Sequence, residues 1–68
     1  SYSEKRELEQ LPGKIESMEI EIASIHEVMA DPGYYQQPAD KIASDASRLK
    51  QLQDSLALAF SRWEELEA

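Results

Sequence analysis

The sequence has no cysteine, one tryptophan, one phenylalanine, one histidine and only two glycines in its 68 residues. Without thiols there are no disulfide staples and no thiolate metal sites. A phosphate-binding loop needs a glycine-rich turn ending in Gly-Lys-Ser/Thr, and Gly13 and Gly33 lie in other contexts. His26 has no ligand-spaced partner, so it reads as a structural or solvated side chain rather than a metal ligand. No apolar run approaches membrane-spanning length, and no signal-peptide pattern is present. Basic residues are scarce as well: 7 Lys and Arg face 14 Asp and Glu, a formal net charge of −7. That balance favours solubility and opposes non-specific attraction to nucleic acid or anionic lipid.

What is present is helical periodicity. Leu8, Leu11, Ile15, Met18, Ile22, Ile25 and Met29 alternate at intervals of three and four, the seam of a coiled coil. Ser1-Tyr2-Ser3-Glu4 reads as a capping box ahead of it, and Asp31-Pro32-Gly33 supplies turn chemistry after it. A second seam runs Ile42, Asp45, Leu49, Leu52, Leu56, Ala59, Trp63 and Leu66, with Pro38 and Asp40 suited to its first turn. The expected fold is all-α: an antiparallel two-helix coiled-coil hairpin forming a single domain over 1–68. Its helices cover about 2–30 and 38–67, joined by a loop over 31–37.

Charge selects the register. Placing Ile25 on Ile42, Met18 on Leu49, Ile15 on Leu52 and Leu11 on Leu56 brings Glu21 to Arg48, Glu7 to Arg62 and Lys5 to Glu67. A slip of one heptad sets Arg48 against Val28 and Lys14 against Arg62, which loses those pairs. Pro12-Gly13 interrupts the first seam without shifting its phase. A proline lacks the N–H for the helical bond and its ring clashes with the Leu8 carbonyl, so the first helix is expected to be kinked or interrupted there. Phe60, opposite Pro12 in this register, is the side chain placed to fill the bend. The alternative is a separate short helix over Ser3–Gln10.

At these residues the sequence resembles a known family. YSEKRELEQLPGKIE, the DPGYY turn and the closing RWEELEA are similar to the C-terminal domain of Uup-type ABC-F ATPases. The opening motif is fairly specific; the heptads and turn are not specific alone. The resemblance covers the whole chain, which begins mid-pattern without an initiator Met and reads as excised from a larger ATPase. It implies a tail appended to two ATP-binding cassettes, in cytoplasmic proteins that lack membrane spans and act on ribosomes. In that branch the tail is associated with DNA binding. ATP and magnesium are implied for the parent protein; no cofactor and no metal is expected in this fragment.

The fragment itself reads as a non-enzyme, because paired glutamates on a two-helix hairpin have no pocket in which to do acid–base work. Asp45 on the seam reads as structural, neutralised by Lys41 or Arg48 one turn away. For nucleic acid, one lateral face carries Lys14, Lys41, Arg48 and Arg62 against Glu7, Glu21 and Glu65. The opposite face carries Lys5 and Lys50 against Glu9, Glu16, Glu19, Glu64 and Glu67. The first is therefore the candidate face for DNA or ribosomal RNA, with Tyr34 and Tyr35 as a candidate tip contact. Ile20 and Leu58 point outward, either as ordinary exposed residues or as part of a contact surface. Two functions follow: an accessory tail assisting nucleic-acid or ribosome association, or a structural module that docks on the ATPase cassettes or dimerises.

Overall fold

The computed structural model describes all 68 residues as two long helices folded back on one another, 51 × 17 × 15 Å overall. Helix α1 spans Tyr2–Met29 and α2 spans Ala39–Glu67. Ser1 caps α1: its hydroxyl accepts from the Glu4 N–H at 3.3 Å, and the Glu4 carboxylate returns to the chain's amino group at 3.4 Å. Pro38 caps α2 rather than starting it. Its φ of −55° suits a helix but its ψ of 144° does not, so the first helical residue is Ala39. The extended Gln37 before it follows from the steric demand of a proline on its predecessor.

Register is set by two ion pairs lying two heptads apart on both helices. Arg48 reaches Glu21 and Arg62 reaches Glu7, each with two hydrogen bonds. This is the register read from charge. The Lys5–Glu67 pair expected on the opposite flank does not form; Glu67 instead accepts from the Trp63 indole N–H at 3.0 Å, one turn back on its own helix.

The core is thin. Only Leu11, Ile15 and Leu52 of the seam are buried, with Tyr34 from the turn; the rest of the seam is half-buried. Two helices cannot enclose a seam on every side, which is why a hairpin of this size is marginal in core.

Of the kink or interruption expected at Pro12-Gly13, the interruption does not occur. The helical assignment is unbroken from Tyr2 to Met29 with Pro12 inside it, so there is no separate helix over Ser3–Gln10. Leu11 and Ile15 explain this outcome. Each is 5% exposed, and they flank the proline on its two sides. Burying a large apolar side chain contributes about 1.5–3 kcal/mol, so these two with Leu52 offset the roughly 4 kcal/mol combined propensity penalty of proline and glycine. Phe60, opposite Pro12, is 40% exposed and its ring stacks on Trp63, centroids 6.4 Å apart.

Candidate nucleic-acid interface

A phosphate-binding face needs cations free to meet phosphate, and the structure separates the four candidates on this criterion. Arg48 and Arg62 are both committed. Arg48 holds Glu21 through Nε at 2.7 Å and Nη2 at 3.0 Å. Arg62 holds Glu7 at 2.7 and 2.9 Å and also donates to Glu65 at 3.0 Å. These are fork-to-carboxylate pairs, the geometry in which guanidinium binds most firmly. The Arg62 hydrogen bonds hold the Glu7 carboxyl below its ordinary range, and Arg48 does the same to Glu21. Glu21 and Glu7 push the two guanidinium groups upward in turn.

Lys41 is committed too. Of the two cations one turn from Asp45, Lys41 takes the carboxylate, at 2.6 and 2.8 Å, while Arg48 turns to the other helix. Lys14 alone among the four forms no ion pair. It stands beside a shallow groove where Gly13 contributes no side chain, Gln10 and Ser17 offer polar groups and Glu9 a carboxylate.

Tyr34 moves from the surface to the core. The candidate tip contact paired it with Tyr35, but Tyr34 is 2% exposed and donates its hydroxyl to Asp45 Oδ2 at 2.7 Å. A base cannot stack on a ring that is enclosed. Tyr35, 69% exposed, meets Tyr34 edge-on at 5.0 Å and is the aromatic left at the tip. The cause is local: Tyr34–Gln36 forms a single 3-10 turn, which swings Tyr34 inward and Tyr35 outward. Burial pushes the Tyr34 hydroxyl up to about 12, with the hydrogen bond to the Asp45 anion adding to it. Lys41 first, then Tyr34, hold the Asp45 carboxyl low. No buried side-chain polar atom is left without a partner.

The face assignment omitted one cation. Arg6, on the outer surface of α1, makes no ion pair and only a 3.4 Å contact to the Tyr2 hydroxyl. With Lys5 and Lys14 it completes a pattern that heptad letters alone do not reveal. Every side-chain cation of α2 is paired, Lys50 with Asp54 included, and every lysine and arginine of α1 is free. No group of acidic and histidine side chains converges as a metal site, and no helix is long and apolar enough to cross a membrane.

The sequence profile of the ABC transporter C-terminal domain matches residues 1–68. The chain belongs to that family. It is 43% identical over 67 residues to the ATP-binding protein Uup-like of Haemophilus influenzae, covering 98% of this chain and 15% of that one. It is 35% identical over 68 residues to the ATP-binding protein Uup of Escherichia coli, covering 100% of this chain and 11% of that one. A solved structure described as "The C-terminal domain of the Uup protein is a DNA-binding coiled coil motif" superposes with a TM-score of 0.89 at 34% identity. That match covers 98% of this chain and 79% of the other. This is therefore a C-terminal coiled-coil domain of Uup-like type, not a catalytic ATPase domain. It spans only a tenth to a seventh of the length of the relatives that carry ATP-binding names.

Proposed function

We propose that this hairpin is the accessory nucleic-acid-binding tail of an ATP-binding protein, with double-stranded DNA as its ligand. The observation that carries the reading is the close structural match, over nearly the whole chain, to a Uup domain described as a DNA-binding coiled coil. The ATP and magnesium implied by the resemblance belong, on this reading, to cassettes elsewhere in the parent protein.

The contact is weak and depends on α1. Arg48 and Arg62 would have to leave bidentate carboxylates before gripping a phosphate, so they serve the hairpin. Lys14 approaches phosphate directly, and Arg6, about 12 Å along α1 at ~1.5 Å per residue, adds a second free cation. A net charge of −7 opposes the encounter, so useful affinity comes from neighbouring domains that raise the effective concentration.

Titration with duplex DNA at two salt concentrations tests this. Phosphate contacts give a steep loss of affinity with salt, and a protein-docking module gives none. Lys14→Glu should remove most of the binding, whereas Lys50→Glu should matter little. Equal losses from the two would overturn the assignment to α1. Ribosomal RNA in the same titration tests the wider expectation of ribosome association.

A further inference from the structure

The two lateral faces of the hairpin are sealed differently. Beside Glu7, Glu21, Arg48 and Arg62 the seam is closed by the two bidentate pairs, and Glu7, Glu21 and Arg62 are themselves half-buried. On the opposite flank Pro12, Glu19, His26, Ala46, Gln53 and Phe60 are all exposed, and no hydrogen bond or ion pair crosses between the helices there. One side of the seam is shut and the other stands open.

Two apolar features occupy the open side. Near the tip, Met29, Tyr35, Ile42, Ala46 and Leu49 line a groove of about 470 Å³. It exists because Ala46 is too small to cover the half-buried Ile42 and Leu49 beside it. Toward the other end, the exposed Phe60 ring lies stacked on Trp63 with their planes 23° apart. Ala46 and Phe60 are two heptads apart, about 21 Å along α2 at ~1.5 Å per residue. On the same face stand Glu9, Glu16, Glu19, Glu64 and Glu67 against Lys5, which is free, and Lys50, which lines the groove and is paired with Asp54 at 2.8 Å, so the face stays net acidic.

We infer that this open side is a docking surface for a cationic amphipathic helix of a separate protein, laid along the seam as a third strand of the coiled coil. Helices recognise grooves through apolar anchors at helical spacing. Here the anchors must be two heptads apart, one for the Ala46 groove and one for the Phe60 ring. Lysines or arginines flanking them meet the five glutamates, and a guanidinium over Phe60 or Trp63 gains a cation–π contact. A second copy of the hairpin is a poor occupant, because it would bring the same glutamates against themselves. DNA is a poorer one for the same reason, so this surface is independent of the nucleic-acid reading.

Trp63 is the only tryptophan and lies beside the surface, so its emission reports occupancy. The probe is a synthetic lysine-rich helical peptide of about 21 residues, long enough to span the two anchors, with leucines fourteen positions apart. Saturable binding is expected, weakened at least tenfold by Phe60→Ser and by Ala46→Arg and unchanged by Lys14→Glu. Both substituted side chains are exposed, and circular dichroism confirms that the variants remain helical. A peptide of the same composition with the leucines out of register should bind at least tenfold more weakly. Equal binding by the two peptides, or indifference to Phe60→Ser and Ala46→Arg, would overturn the proposal. So would a concentration-dependent dimer that the peptide competes away, since the occupant would then be a second copy.

Discussion

Pro-Gly occurs twice in this chain, and the two copies have opposite fates. Pro12-Gly13 lies inside an unbroken helix, while Pro32-Gly33 lies in the turn that ends it. The dipeptide is identical, so the outcome is decided by its neighbours. Around Pro12 the adjoining seam residues Leu11 and Ile15 are buried against α2, and their burial carries the helix across a poor local sequence. Around Pro32 there is no seam to continue. Asp31 instead accepts the Gly33 N–H at 2.8 Å, closing a side-chain turn, and Tyr34 immediately afterwards plugs the end of the hairpin. Local propensity proposes the break; tertiary burial decides whether it happens.

That difference also marks what was legible in the sequence. The hairpin, its register and both arginine–glutamate pairs follow from heptad phase and charge, since periodicity of 3.5 residues survives any detail of packing. The unbroken helix was not legible, because the pattern shows which residues face the seam but not how deeply each is buried. Tyr34 was misplaced for a related reason. It lies off both heptad patterns, and its partner Asp45 is a seam residue eleven positions later, across a 3-10 turn that no periodicity announces. The signal was available in one form: a lone acid on an apolar seam wants a donor, and the nearest aromatic hydroxyls were those of the turn. The commitment of the arginines to the hairpin was foreseeable from the pairs themselves, and it leaves the free cations on α1.

The largest effect should come from removing the plug. Tyr34→Ala leaves a cavity at the turn and takes a hydrogen bond from Asp45, and should cost about 3–5 kcal/mol in chemical denaturation, as large-aromatic truncations do. A loss below about 1 kcal/mol would mean that the turn is held by its own backbone and the contrast with Pro12 is mistaken. Tyr34→Phe isolates the hydroxyl at a cost of about 1 kcal/mol. It should also change the alkaline limb. The folded-state pKa of Tyr34 is raised from 10 to about 12, so its contribution is intact below pH 10 and lost as pH rises to 12. The phenylalanine variant should lack that step.

Next in size is the other proline. Because the helix is already continuous, Pro12→Ala restores a bond to the Leu8 carbonyl and relieves the ring clash, with up to about 3 kcal/mol of gain in unfolding free energy. No gain at all would show that the ring makes packing contacts worth as much as the missing hydrogen bond. Asp31→Ala should act in the opposite direction at the turn, costing about 1 kcal/mol by leaving the Gly33 N–H without its acceptor.

The smallest effects compare the two glycines directly. Neither has a positive φ, so an alanine fits both backbones, and any difference reflects surroundings rather than conformation. A Cβ at Gly13 would meet nothing within 4 Å, which makes Gly13→Ala a pure helix-propensity change worth about 1 kcal/mol of added stability. A Cβ at Gly33 would sit 3.4 Å from Asp31 Oδ1, the oxygen that accepts the Gly33 N–H. There the gain from restricting the unfolded chain, about 0.4–1 kcal/mol, is offset by crowding of the Asp31 turn. Gly13→Ala should therefore raise the melting temperature more than Gly33→Ala. Combining Gly33→Ala with Asp31→Ala should remove the offset and recover the unfolded-state gain. If the two glycine variants gain equally in the wild-type background, the Asp31 turn exerts no constraint on its neighbour, and the turn rests on Tyr34 alone.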